Sequence, residues 1–215
     1  MTNLLYMQNP YIKEFDATII RLEANIVVLD RTCFFPQGGG QVGDTGDIST
    51  IRVINTLIEG EEVHHILETP PPFSTGQRVQ GKIDWERRYR IMRLHSAAHL
   101  VYYAMREVFG KECKPASSGL LDDRKDRSDY LFDEPLDKEK LVKVEIRVNQ
   151  LISKGLPITH SFDEGLGKIL WKVEPFETMA CGGTHVRNTS EIGRIQVKRG
   201  SKPGRGKERI ELTLV

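Results

Sequence analysis

His95-Ser96-Ala97-Ala98-His99 places two imidazoles at positions i and i+4. On a helix they sit one turn apart on the same face, the geometry for gripping one ion. Cys181-Gly182-Gly183-Thr184-His185 supplies a thiolate and a third imidazole, and its two glycines are expected to let the backbone turn tightly so that both side chains converge. A single histidine reads as a satisfied core residue, whereas four donors in these two spacings read as one metal site. Three imidazoles and a thiolate favour zinc, one ion per chain. Cys181 lies 82 positions beyond His99, so the site would stitch a helix to a distant loop rather than form a compact finger. Four protein ligands suit a closed structural site, while hydrolytic zinc keeps a position open for water. Three readings remain: one ligand is displaced, the coordination expands, or the metal grips substrate instead of activating water. Ser96 stands where a zincin carries its glutamate, which argues against a metallopeptidase and leaves the general base unassigned.

Other stretches invite a binding role. Gly38-Gly39-Gly40, between Gln37 and Gln41, exposes backbone N–H groups that could cradle an anion, although no Lys-Ser/Thr pair follows as in a Walker loop. A plain barrel turn is the competing explanation. Lys198, Arg199, Lys202, Arg205 and Lys207 form a basic loop rich in turn residues, read either as a solvated hairpin tip or as a contact for RNA phosphates. Arg87, Arg88, Arg90 and Arg93 crowd the start of a helix, where cations oppose the macrodipole, so anions are expected beside them, either Glu or Asp partners or RNA phosphate. His64 and His65 face opposite ways on a strand, and His160, Cys33 and Cys113 are assigned structural roles.

The elements that must position these groups follow from pattern. With 215 residues, 39% hydrophobic and 28% charged, the chain suits one large or two small globular domains. No apolar run reaches the ~18 residues of a membrane span, and no basic, apolar leader opens the chain. Three cysteines rule out a disulfide framework and point to a reducing, cytoplasmic setting. Residues 1–85 hold 6 basic and 11 acidic residues, a net of −5, and residues 86–215 hold 25 and 19, a net of +6. This asymmetry suggests that one half meets an anionic partner. The first 85 residues predict short strands at 17–22, 25–30, 51–58, 63–67 and 77–83, a small β-barrel or sandwich. From residue 86 the pattern becomes α+β: a helix to Phe109 stopped by Gly110, a second over about 137–154, and strands at 195–198 and 210–214. Ser161-Phe162-Asp163-Glu164 fits the capping box of a short third helix.

The two metal motifs resemble those of the alanyl-tRNA synthetase editing domain and its free-standing relatives, the AlaX proteins. Phe35-Pro36-Gln37-Gly38-Gly39-Gly40-Gln41-x-x-Asp44-x-Gly46 resembles their glycine-rich motif. The likeness covers nearly the whole chain in the expected order and fits the medium form best. A weaker likeness runs to the editing domain of threonyl-tRNA synthetase. The resemblance implies an α+β fold: a β-barrel over 1–85 carrying the glycine-rich motif, then a zinc-containing editing domain over 86–215 with an antiparallel or mixed sheet and packed helices. It implies a zinc-dependent deacylase that removes serine, and glycine too, from mischarged alanine tRNA. The metal ligands would be His95, His99, Cys181 and His185. Gln37 to Gln41 would border the bound amino acid or the terminal adenosine. Ala98 stands where the synthetase often has threonine, and Pro115-Ala116-Ser117-Ser118 takes the place of a Gln-Lys-Gly-Ser stretch, with Ser117 and Ser118 as substrate contacts. Two readings compete: a non-catalytic tRNA-binding module with structural zinc, and a zinc amidase or peptidase acting on small substrates.

Overall fold

The computed structural model describes residues 2–116, 119–163, 165 and 168–215. Strands dominate the first half: Asn3–Leu4 (β1), Glu14–Glu23 (β2), Ile26–Leu29 (β3), Arg31–Thr32 (β4), Gly46–Ile48 (β5), Ile51–Glu59 (β6), Glu62–Leu67 (β7) and Arg78–Ile83 (β8), with one helical turn, Leu5–Gln8 (α1), after β1. Six of them pair in the order β2-β3-β7-β6-β5-β8, and β8 returns to β2, closing a barrel. Alternation sets which side chains point inward. In β8, Val79 and Ile83 are buried while Arg78, Gln80 and Lys82 face out. Ile19, Val27, Leu29, Phe34, Ile48, Val53 and Leu67 fill the interior.

The second half begins with the helix Trp85–Phe109 (α2), followed by Leu120–Leu121 (β9), Asp126–Leu131 (β10), Lys138–Ser153 (α3), Thr159–Asp163 (β11), Lys168–Lys172 (β12) and Met179–Ala180 (β13). A short 3-10 turn at Thr189–Ile192 precedes Ile195–Arg199 (β14) and Lys207–Leu214 (β15). One antiparallel sheet has the order β14-β15-β10-β9, and a smaller one the order β11-β12-β13. Helix α3 starts where Asp137 accepts hydrogen bonds from the Glu139 and Lys140 backbone N–H groups, and it buries Leu141, Val144, Val148 and Leu151. Asn149 fixes it to β14 by giving and taking a hydrogen bond with the Ile195 backbone.

The chain divides into two units, Met1–Gly38 with Val42–Tyr89, and Gly39–Gln41 with Arg90–Val215. Three residues of the glycine-rich stretch therefore belong with the second half of the sequence. In the first unit, Arg88 is buried against Asp44 and also donates to the Cys33 carbonyl at 2.8 Å. In the second, Arg90 donates to the Asp123 carbonyl and Arg93 to the Ile192 carbonyl. Of these partners only the Asp44 carboxylate is an anion, and the others are neutral backbone carbonyls of the chain itself. No helix is long and apolar enough to cross a membrane.

The capping box expected at Ser161-Phe162-Asp163-Glu164 is corrected. Ser161 to Asp163 form the end of β11, in register with Leu170, Ile169 and Lys168 of β12, and Glu164 lies outside the described residues. Ladder hydrogen bonds with β12 claim backbone groups that a helical turn would need, so pairing overrides the local signature.

Candidate metal centre

Helix α2 delivers His95 and His99 one turn apart, as their spacing requires. Cys181 follows β13 directly, and its backbone N–H donates to the Ile169 carbonyl of β12. His185 lies four residues on and is buried. One donor atom from each of the four side chains lies within 4.8 Å of all the others. Cys181 Sγ stands 3.5 Å from His95 Nε2 and 3.2 Å from His185 Nε2.

Neighbouring groups aim these donors. Gln41 Oε1 accepts from His95 Nδ1 at 2.8 Å, which leaves Nε2 free of a proton and pointed at Cys181. Gln41 is itself held, donating to Thr184 Oγ1 and accepting from the Thr184 N–H. Ser96 Oγ lies 3.2 Å from His185 Nδ1 and accepts from the Val186 N–H. His99 Nδ1 is buried and has no hydrogen-bond partner among the described residues. Trp171 packs against the His99 ring edge to face, centroids 4.6 Å apart.

The glycines of the Cys181–His185 segment act differently from expectation. Neither Gly182 nor Gly183 adopts the left-handed region, so the turn itself does not demand them. A Cβ on Gly183 would fall 2.2 Å from His95 Cε1 and 2.9 Å from Gln41 Oε1, so the absent side chain makes room for the ring. Gly182 faces open space.

Burial sets the protonation states. It pushes His95 down to about 4, with a smaller contribution from His160. His99 and His185 are held well below the usual histidine value by burial first and by the neighbouring imidazoles second. Burial pushes the Cys181 thiol up. Three neutral imidazoles are ready to ligate, and a thiol buried among them is the group that a divalent cation would deprotonate. This donor set fits zinc in size, number and softness.

A cavity of about 420 Å³ opens on His95, His99 and Cys181. Gly39, Gly40 and Gln41 form part of its wall, and the Gly40 carbonyl accepts from the Leu121 N–H of β9. Gly40 adopts φ +90°, and a Cβ there would lie 2.2 Å from the Gly119 carbonyl oxygen, so this position requires glycine. Gln37 and Gly38 belong to the other unit and are exposed. Ser117 and Ser118 lie outside the described residues. Lys198, Lys202, Arg205 and Lys207 are exposed at the β14–β15 hairpin. Arg199 instead makes two hydrogen bonds, of 2.7 and 2.8 Å, to the buried carboxylate of Glu208.

Several lining residues escaped the sequence reading. Asp126, Ser128 and Tyr130 of β10 all line the cavity, because alternate residues of a strand share a face. Their period of two was the available signal. His160, read as structural, stands on β11 with its ring centroid 5.1 Å from that of His185.

Two family models match the chain. One described as "tRNA synthetases class II (A)" covers residues 5–87, and "Threonyl and Alanyl tRNA synthetase second additional domain" covers residues 170–211. The alanyl-tRNA editing protein AlaX-M of Pyrococcus horikoshii is 34% identical over all of this chain and 98% of its own length. The alanine–tRNA ligases of Ignicoccus hospitalis and Thermococcus kodakarensis are 34% and 35% identical over 98% and 97% of this chain. The chain spans only 26% and 25% of those two enzymes.

Proposed function

Because the chain belongs to the family of AlaX alanyl-tRNA editing proteins, we propose that it hydrolyses the ester between a wrongly attached amino acid and alanine tRNA, with serine and glycine as the amino acids removed. Water adds to the acyl carbon, the bond to the ribose oxygen breaks, and that oxygen takes a proton. The products are a free amino acid and an intact tRNA. The observation that carries this reading is the single cavity shared by the donor cluster and the Gly39–Gln41 backbone. Its volume of about 420 Å³ falls in the usual range for small-ligand sites.

His95, His99, Cys181 and His185 would hold the zinc, which when bound supplies Lewis acidity toward an ester carbonyl or a water molecule. Gln41 and Ser96 orient two of the imidazoles. Gly39 and Gly40 let the acyl group or the terminal adenosine approach the backbone, and Ala98 gives the wall a methyl group in place of a hydrogen-bonding side chain. Ser117 and Ser118 are assigned to substrate contact by family likeness, and Gln37 and Gly38 to the rim of the same loop. Lys198, Lys202, Arg205 and Lys207 are assigned to tRNA phosphates, with Arg199 shaping the hairpin that carries them. A cytoplasmic location accompanies this reading.

The test is to offer purified protein Ser-tRNA(Ala), Gly-tRNA(Ala) and Ala-tRNA(Ala). Release of serine and glycine with Ala-tRNA(Ala) spared, one zinc per chain, and loss of both metal and turnover in Cys181→Ala are expected. A wild-type protein that binds tRNA yet deacylates none of the three would overturn the reading.

A further inference from the structure

Asp126 is a carboxyl where the fold should tolerate none. It sits in β10 between β15 and β9, in register with Leu212 on one side and Leu121 on the other. Only 6% of it is exposed. Ser128 Oγ donates to Asp126 Oδ2 at 2.8 Å, and no Lys or Arg forms an ion pair with it among the described residues. Of the charged neighbours on its strand, Arg127 forms its ion pair with Asp122, Asp129 forms its own with Arg209, and Arg127 only partly offsets the burial of Asp126. Burying a carboxylate without a counter-ion is costly, and such a group in a cleft marks a functional position more often than a structural one.

Asp126 faces the cavity that holds His95, His99 and Cys181. Among the described lining residues it is the one carboxyl, and no Lys or Arg joins it there. The other polar groups are largely engaged. Gln41 is spent on His95 and Thr184, and the Tyr102 hydroxyl accepts from Arg106. Gly119 leaves room beside the carboxyl, since a Cβ there would lie 2.8 Å from Asp126 Oδ1 and 2.8 Å from Ser128 Oγ. Burial pushes the carboxyl up to about 6, which leaves it mostly ionised at neutral pH.

An aminoacyl ester differs from other esters in carrying an α-ammonium group beside the acyl carbon. That cation is repelled by a bound metal ion and needs an anion elsewhere on the wall. We infer that Asp126, oriented by Ser128, is the anchor for the α-ammonium group of the aminoacyl ester, so that the site selects aminoacyl over other acyl groups. The inference rests on the proposed function for the identity of the ligand, and it assigns a role that the metal donors do not fill.

The test is a binding measurement with two non-hydrolysable probes. One is 3′-seryl-amido-3′-deoxyadenosine, and the other is its glyceryl counterpart, in which a hydroxyl replaces the α-amine. Wild-type protein should bind the ammonium probe at least tenfold more tightly, and Asp126→Asn should bind the two alike, at unchanged zinc content and thermal midpoint. Absence of a preference in the wild type overturns the inference without any variant, and so does a preference that survives in Asp126→Asn. Turnover of Ser-tRNA(Ala), measured alongside, separates the two readings. A wild-type preference without turnover sinks the hydrolase and keeps the anchor, whereas turnover without a preference sinks the anchor alone.

Discussion

Gln41 is the residue whose role is best defined by its neighbours. Its Oε1 fixes the proton of His95 on Nδ1, and its amide N–H is committed to Thr184. Replacing it with alanine leaves His95 free to turn and to change tautomer. Outer partners of metal-bound histidines are worth about 10–100-fold in affinity. Gln41→Ala is therefore expected to weaken zinc binding by about tenfold or more, measured by competition with a chelator of known affinity, while the circular dichroism spectrum is unchanged. Equal zinc affinity in the two proteins would remove Gln41 from the site. All four donors were legible from residue type and spacing, because a helix turn and a four-residue separation constrain side chains directly. Gly183 was legible as important but not for the right reason. Its requirement comes from the ring of His95, 88 positions away in sequence, and no local pattern encodes that contact.

Strands and helices differ in how openly the sequence declares them. The helix from Lys138 to Ser153 carries an apolar face, and the helix from Trp85 to Phe109 is uninterrupted by Gly or Pro and stopped at Gly110. Strand β10 was missed because Asp126-Arg127-Ser128-Asp129-Tyr130 has almost no apolar alternation. Its inward face is polar since it faces a cavity, and polarity of that kind reads as a loop. Strand β11 resembles a helix start for a related reason: His160, Ser161 and Asp163 are polar, Phe162 is exposed, and only pairing with β12 decides their conformation. His65 of β7 shows what an element can hide. It is fully buried, and its ring nitrogens contact the Val27 carbonyl at 3.0 Å and the Thr32 hydroxyl at 2.8 Å. Burial pushes it down to about 4, against a smaller upward contribution from the Val27 contact. The unfolded chain takes up this proton near pH 6.5, but the folded one only near 4. Stability should therefore fall as pH drops from about 6.5 to about 4 and level off below, by up to about 3 kcal/mol. Urea midpoints at pH 7.5 and 4.5 check this. The drop should be smaller in His65→Gln than in wild type.

At the scale of the molecule the charge is divided: a net of −5 over residues 1–85 and +6 over residues 86–215. The β14–β15 hairpin adds to the positive side, but the five cations from Lys198 to Lys207 are not equivalent. Lys198, Arg205 and Lys207 project into solvent, whereas Arg199 neutralises buried Glu208. Changing Lys198, Arg205 and Lys207 to alanine should lower tRNA affinity and reduce the log–log salt slope by about three, with the thermal midpoint unmoved. Arg199→Ala should lower the thermal midpoint, because it removes two hydrogen bonds from a buried carboxylate and leaves the 3.8 Å contact with Lys202 as its ion pair among the described residues. A salt slope that survives the triple change would leave the hairpin a solvated tip. The long pairing of Gln41 with Thr184, 143 positions apart, also has a consequence for synthesis. At about 5–20 residues per second a ribosome needs roughly 7–30 s to travel between them. From His99 until Cys181 is added, the nascent chain owns two imidazoles on a helix and nothing to close around an ion. Cys181 and His185 arrive only after 82 and 86 further residues beyond His99. A translation product interrupted before Cys181 thus lacks two of the four donors that would hold a metal ion.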